Sequence, residues 1–112
     1  MGGGVKIGQN TFIGRQVYFD ELAPKSIEIG SNCHITQGVE ILTHFLNPET
    51  GGFYTAPVVI GDNTFIGMHT LIIKPVKIGS NCIIGAGSIV THDIPDNSIA
   101  AGNPCRVIKS RK

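Results

Sequence analysis

The sequence predicts an all-β fold, a parallel β-helix with one protruding loop and an extended C-terminal tail. Three observations predict it: a large apolar residue recurs every six residues, a glycine often follows directly, and a small or β-branched residue comes four positions later. A helix would need steps of three and four, and a lone strand steps of two. A coil of three short strands around a triangular prism gives the observed step of six.

The six-residue series runs through three stretches of chain. Its members are Ile7, Ile13 and Phe19, then Ile29, Ile35 and Ile41, then Ile60, Ile66, Ile72, Ile78, Ile84 and Val90. β-Branched residues suit strands, and the Gly and Asn of "IGQN", "IGSN" and "IGDN" tolerate tight corners. Three hexads make one coil of 18 residues, so the sequence predicts about four coils.

The series breaks at two places and fades at a third. Phe19 and Ile29 are ten residues apart, and Ile41 and Ile60 are nineteen apart. We therefore expect an excess within residues 20–28 and a loop at residues 44–57 that leaves the prism. Long loops in compact domains are usually functional or disordered. After Val90 the pattern weakens, which predicts an extended tail over 94–112. The length of 112 residues predicts a single domain over residues 1–112.

Composition narrows the function classes. A net charge of +1 gives no reason to expect binding to nucleic acid or to an anionic membrane. No apolar run approaches the ~20 residues that cross a bilayer, and the initial "MGGG" lacks the regions of a signal peptide. Three cysteines without metal-like spacing fit a cytoplasmic protein with reduced thiols and no metal site. A domain this short buries limited surface, so a homo-oligomer is plausible.

Three stretches are specific beyond the repeat: "LTH" at 42–44, "IGDNTFIG" at 60–67 and "IGAGSIVTHDIPDNSIAAGNPCRVIK" at 84–109. They resemble the hexapeptide-repeat acyltransferases, closest to the galactoside and maltose O-acetyltransferase branch. The resemblance covers nearly the whole chain and implies a left-handed parallel β-helix, an exception to the right-handed crossover rule. It also implies a homotrimer with sites between subunits. The expected activity is an acetyl-CoA-dependent transfer of acetyl to a hydroxyl of a sugar.

The resemblance makes His44 the general base. This histidine ends the second series, where the chain leaves the repeat. An imidazole suits proton removal at neutral pH, and in the family the activated hydroxyl attacks acetyl-CoA directly. From the residues alone, a loop histidine making one backbone hydrogen bond is an equal alternative.

The resemblance also implies the contacts to acetyl-CoA. The expected residues are Met68, Ala86, Thr91, His92, Arg106 and Lys109. The small residues around Ala86 would let the pantetheine arm approach the backbone, while Arg106 and Lys109 would lie near the nucleotide phosphate. Met68 and His92 stand where relatives often carry Ser and Lys. A solvated basic chain end is the alternative for the last two cations.

Residues for the acceptor are fewer. By resemblance, Asp20 faces the acceptor and hydrogen-bonds a sugar hydroxyl. An aspartate that caps a turn is an equal alternative. Phe53 and Tyr54 in the loop could stack on a sugar ring or anchor the loop.

Other mechanisms and functions compete with this one. A cysteine nucleophile is disfavoured, since Cys33 and Cys82 take the small inward position and Cys105 lies in the tail. His34 and His69 are expected at the surface of the coils. A γ-type carbonic anhydrase needs three zinc-binding histidines, which the spacings of 10, 25 and 23 fit poorly. A non-catalytic, structural β-helix would carry regular arrays of threonine, which this sequence lacks. An amino-sugar N-acetyltransferase or a serine O-acetyltransferase is the remaining alternative.

Overall fold

The fold is a triangular prism of stacked coils. The structure is a computed structural model and describes residues 4–111, so Lys112 and the first three residues of the "MGGG" segment lie outside it. Four complete coils contribute three short strands each. A hairpin protrudes after the second coil, and a second hairpin follows the fourth.

The strands are named here in chain order. The first coil holds β1 (Lys6–Ile7), β2 (Phe12–Ile13) and β3 (Tyr18–Phe19). The second holds β4 (Ile27–Ile29), β5 (His34–Ile35) and β6 (Glu40–Ile41), and it is followed by a hairpin of β7 (His44–Leu46) and β8 (Phe53–Thr55). The third holds β9 (Val58–Ile60), β10 (Phe65–Ile66) and β11 (Leu71–Ile72). The fourth holds β12 (Lys77–Ile78), β13 (Ile83–Ile84) and β14 (Ile89–Val90), and the chain continues with β15 (Ser98–Gly102) and β16 (Cys105–Ser110).

Equivalent strands of successive coils pair in parallel and form the three sides of the prism. Sheet 1 has the order β1-β4-β9-β12, and sheet 3 has the order β3-β6-β11-β14. Sheet 2 has the order β2-β5-β10-β13-β15-β16, in which the last pair is antiparallel. The register aligns the apolar series, since Ile35 pairs with Ile66 and Ile66 with Ile84.

The six-residue series forms the core, as the sequence predicts. From the second coil onward, its members from Ile29 to Val90 are at most 2% exposed. The first coil is more open, because Ile7 at the end of the prism is 42% exposed. The small inward position is filled by residues such as Thr64, whose hydroxyl donates to the Gly79 carbonyl at 2.7 Å. Polar inward residues are therefore satisfied by the backbone of the next coil.

At two of the three corners of the prism, one residue in each coil takes a left-handed φ. At the first corner, between sheets 1 and 2, an asparagine takes a left-handed φ of 55–60° in every coil: Asn10, Asn32, Asn63, Asn81 and Asn97. At the second corner, between sheets 2 and 3, the left-handed residues are Gln16, Gly38, His69 and Gly87. Asn and Gly adopt this conformation at low cost, so the sequence sets the turns.

The third corner, from sheet 3 back to sheet 1, takes up all the irregular lengths. The excess after Phe19 becomes a bulge with a 3-10 helix at Pro24–Ser26. The predicted loop does leave the prism, and its two arms pair as the antiparallel strands β7 and β8. After the fourth coil the same corner is shorter than usual. Ile94 bridges to Ile78, so 16 residues instead of 18 separate the two equivalent positions.

The C-terminal expectation needs a correction. Residues 94–112 were expected to form an extended tail, but Ile94 and Ala100 are buried and continue the prism. Ala100 pairs with Ile84 through β15, and β16 folds back over β15. The six-residue pattern breaks after Val90 because the third corner there is two residues shorter than the repeat requires.

Candidate active site

His44 and Asp20 meet at the third corner although they are 24 residues apart in sequence. His44 begins β7, and its Nδ1 lies 2.5 Å from Oδ2 of Asp20. Asp20 follows β3, one coil earlier, and its side chain is 5% exposed, against 35% for that of His44. The pair therefore has a buried carboxylate and an imidazole that reaches solvent.

Both carboxylate oxygens of Asp20 are occupied by the protein. Oδ2 accepts the backbone N–H of Thr43 at 2.9 Å, and Oδ1 accepts the N–H of Leu22 at 3.1 Å. Burial alone would raise the pKa of Asp20, but these two backbone hydrogen bonds and the one from His44 outweigh it and lower the pKa to about 2. Asp20 is therefore ionised at neutral pH.

The ionised carboxylate determines the tautomer of His44. An Asp20 carboxylate can only accept, so Nδ1 of His44 must carry the hydrogen. In the neutral imidazole Nε2 then bears the lone pair, and no hydrogen bond to Nε2 is found within residues 4–111. An imidazole held in this way can accept a proton from a hydroxyl that approaches Nε2.

The expected contact of Asp20 with an acceptor fits this placement poorly, because its oxygens are buried and engaged. Oδ1 accepts the N–H two residues later, which is the contact that a turn-capping aspartate makes. Thr43, which the sequence analysis did not single out, tightens the same corner. Its hydroxyl accepts the N–H of Ala23 at 3.1 Å.

The hairpin after the second coil forms one wall of a groove beside His44. The groove has a volume of about 390 Å³. We call it the His44 groove. It is lined by Leu42, His44, Phe45, Leu46, Pro48, Phe53, Ile73 and Lys74. The ring of Phe53 stands edge-on to His44 with centroids 5.6 Å apart. Tyr54 packs on buried Phe45 at 5.7 Å and so anchors the hairpin.

The residues expected at acetyl-CoA fall into three groups. Met68 and Ala86 lie in adjacent coils at the second corner, where the Met68 carbonyl accepts the N–H of Gly87. Thr91 and His92 follow β14 at the third corner, and the Thr91 hydroxyl lies 3.0 Å from Nδ1 of His92. These two residues share the corner of His44, whereas Met68 and Ala86 do not.

Arg106 and Lys109 form the third group. Both are exposed on β16, opposite Ala101 and Ile99 respectively. Within one chain the six residues are therefore not brought together into one site.

The cysteines are poorly suited to act as nucleophiles. All three are free and buried. Burial raises the pKa of the Cys33 and Cys105 thiols, and the Cys82 thiol donates to the carbonyl of Pro95 at 3.1 Å. A buried thiol with a raised pKa is inert, in keeping with the disfavoured cysteine mechanism.

The remaining histidines lie at the surface. His34 lies between Phe12 and Phe65 on the outer face of sheet 2, with ring centroids 6.2 and 6.3 Å away. His69 takes its left-handed turn at the second corner. Within residues 4–111 no cluster of three potential metal ligands is found, and no helix there could span a membrane.

Two family models match the chain on either side of the hairpin. "Hexapeptide repeat of succinyl-transferase" matches residues 4–42, and "Bacterial transferase hexapeptide (six repeats)" matches residues 57–92. The chain belongs to the hexapeptide-repeat transferase family. The stretch between the two matches contains the hairpin and His44.

Relatives within this family include named acetyltransferases. The galactoside O-acetyltransferase of Escherichia coli K12 is 41% identical over 111 residues, covering 91% of this chain and 55% of that protein. A maltose O-acetyltransferase from Clostridium difficile 630 superimposes with a TM-score of 0.87 at 41% identity, covering 96% of this chain and 59% of that one. The chain thus spans about half the length of the curated relatives it matches.

A further structure contains the donor. A hexapeptide-repeat acetyltransferase from Vibrio cholerae, complexed with acetyl coenzyme A, has a TM-score of 0.89 at 29% identity. It covers 99% of this chain, which in turn covers 62% of it. These likenesses confirm the left-handed parallel β-helix expected from the sequence.

Proposed function

We propose that this protein is an acetyl-CoA-dependent O-acetyltransferase that acts on a hydroxyl of a saccharide, with His44 as general base. The observation that carries the proposal is the His44–Asp20 pair at the wall of the His44 groove. The galactoside and maltose O-acetyltransferases among its relatives support the reaction class, and the Vibrio complex supports the donor.

The proposed reaction is a single displacement. Nε2 of His44 accepts the proton of the acceptor hydroxyl while the hydroxyl oxygen forms a bond to the thioester carbonyl carbon. The carbon–sulfur bond breaks, and the departing sulfur of coenzyme A takes the proton from His44. Asp20 stays ionised, holds the Nδ1 hydrogen and stabilises the imidazolium formed in the first step.

The donor would run along the coils away from His44. Thr91 and His92 lie at the same corner two coils further on, and Arg106 and Lys109 offer cations on β16 for its phosphates. At the second corner the close approach of Gly67 to Ala86 leaves no room for a larger residue at Gly67. We propose that Met68 and Ala86 contact the pantetheine arm there.

In this proposal, a second copy of the chain brings its second corner next to the third corner of the first copy. Met68 and Ala86 of one copy can line the His44 groove of another if three chains close around a threefold axis. We therefore propose a homotrimer with the active site between subunits. A cytoplasmic location is proposed as well, supported by the three free thiols.

The test is acetyl transfer by the purified protein. Acetyl-CoA is incubated with a panel of saccharides, amino sugars and serine, and products are identified by mass spectrometry. The His44→Ala variant should lose about 10²- to 10⁴-fold in rate, as expected for removal of a general base. His34→Ala is the matched control, because the His34 side chain also reaches solvent but lies on sheet 2.

Three results would contradict the proposal. Equal rates for wild type and His44→Ala would remove His44 from the mechanism. Acetylation of amines alone would replace the O-acetyltransferase with an N-acetyltransferase. Absence of product with every acceptor would refute the reaction for this chain.

A further inference from the structure

The His44 groove has an uneven chemical character. Four of its eight lining residues are aliphatic or proline, namely Leu42, Leu46, Pro48 and Ile73. The aromatic residues Phe45 and Phe53 add more apolar surface. In the part of the chain that the structure describes, no Asp, Glu, Asn or Gln lines it. A sugar ring buried here would find few side-chain partners for its hydroxyls, and unpaired polar groups are costly to bury.

Lys74 is the exception. Among residues 4–111 it is the only ionisable side chain of the groove apart from His44, and it is exposed. It forms no ion pair within the described residues, where the His44–Asp20 contact is the only ion pair. Asp20, the acid that contacts His44, is buried and already holds three donors. The positive charge of Lys74 is therefore free to meet a ligand.

The coil register places Lys74 beside the base. The N–H of Leu42 donates to the carbonyl of Ile72 at 3.0 Å, so the two coils run side by side into the third corner. His44 comes two residues after Leu42, and Lys74 comes two residues after Ile72. Adjacent coils are about 4.8 Å apart, which the side chain of a lysine spans easily.

We propose that the acceptor carries an anionic group, a carboxylate or a phosphate, which Lys74 binds while the neighbouring hydroxyl meets His44. The inference rests on the proposed function and gives the acceptor a class: a sugar acid or sugar phosphate with an apolar ring face toward Phe53. The phosphates of acetyl-CoA are the less suitable anion. The pantetheine arm separates them from the thioester, so they lie far from the base when the thioester is beside it.

The test compares acceptors that share the galactose ring and differ in the charge of the group at C6. Galacturonate, its methyl ester and galactose 6-phosphate are offered with saturating acetyl-CoA to the wild type, Lys74→Met and Lys74→Arg. Lys77→Met is the matched control, since Lys77 is also exposed but lies on sheet 1. In the wild type, at least one anion should exceed the methyl ester about ten-fold in kcat/KM, through KM.

Lys74→Met should abolish this preference, because the kcat/KM of the favoured anion should fall to about that of the methyl ester. Lys74→Arg should restore most of it, and added salt should weaken it in the wild type. An equal loss for charged and neutral acceptors would overturn the inference, because it would place Lys74 at the reacting carbonyl. A rise in the KM of acetyl-CoA with every acceptor would also overturn it, because Lys74 would then bind the donor.

Binding separates this inference from the reaction itself. Ligand-observed NMR measures the affinity of the same three compounds without turnover. Tighter binding of an anion than of the ester, lost in Lys74→Met, supports the inference even where no acetyl product forms and the proposed reaction fails. Equal affinities in both proteins overturn it whether or not the enzyme is active.

Discussion

Replacing Asp20 by asparagine tests the central pair of the site. In the wild type Oδ2 accepts from Thr43 and His44, and Oδ1 accepts from Leu22. An asparagine amide has one acceptor and one NH₂ group. If the NH₂ takes the place of Oδ2, it faces two donors; if it takes the place of Oδ1, it faces the N–H of Leu22. Each orientation leaves a donor opposite a donor.

The loss of unfolding free energy expected for Asp20→Asn follows from the pKa of Asp20. Its fall from the ordinary 3.8 to about 2 is equivalent to about 2.4 kcal/mol at ~1.36 kcal/mol per unit. Water at the half-exposed His44 screens part of this, so we expect Asp20→Asn to lower the free energy of unfolding by about 1–2 kcal/mol near neutral pH. Because the folded-state pKa is depressed, this stabilisation is full above pH 3.8. It is lost as the pH falls from there through about 2.

Rate and stability are both measured. Release of coenzyme A thiol should slow by about 10²- to 10⁴-fold in Asp20→Asn, since Nδ1 loses the anion that fixes the tautomer and the imidazolium. Urea unfolding at equal protein concentration should give a stability difference that is constant from pH 7 to 5 and smaller at pH 3. Asp62→Asn is the control, because Asp62 also accepts a backbone N–H, from Ser31 at 2.8 Å, but at the first corner.

The reasoning on Asp20 would be refuted by a rate within three-fold of wild type, or by a stability difference that is the same at pH 7 and pH 3. The first result would separate Asp20 from catalysis. The second would mean that its carboxylate is not the stabilising form.

Two further predictions concern the prism. Gly38→Ala should destabilise the fold by about 1–3 kcal/mol in urea unfolding, because Gly38 has a φ of +76° and its new Cβ would overlap the ring of His69. The cost should be smaller in a His69→Gly background, and an equal cost there would contradict the overlap. The thiols of Cys33, Cys82 and Cys105 should resist iodoacetamide until the protein unfolds, as buried thiols do, and rapid native-state labelling followed by mass spectrometry would show otherwise.

The repeat was predictable because the interior enforces it. Each sixth residue faces the axis of the prism, so only a large apolar side chain is accepted there, and Ile35, Ile66 and Ile84 stack accordingly. The burial of Ile94 and Ala100 was not predicted, since a corner two residues short shifts the phase of the series. A method that allows the phase to change at one corner would have found both residues.

The site was less predictable. His44 as a candidate came from the resemblance, but its contact with Asp20 depends on how the bulge with its 3-10 helix closes, which the repeat does not encode. Lys74 gave no signal because it lies in a regular coil with no break in the series. Its relevance comes only from its position beside the hairpin.

The residues of the candidate site lie at the third corner, whereas the polar side chains of the first corner are engaged in hydrogen bonds between coils. There Ser31, Asp62, Ser80 and Asp96 each accept a backbone N–H from the preceding coil, in one continuous ladder. Each of its turns also needs an asparagine with a left-handed φ, so neither length nor residue type can vary. Outside the hairpin, no described residue of the third corner has a left-handed φ. Insertions are therefore tolerated at this corner without disturbing the stacked strands, and His44, Asp20 and Lys74 can gather there at little cost to the fold.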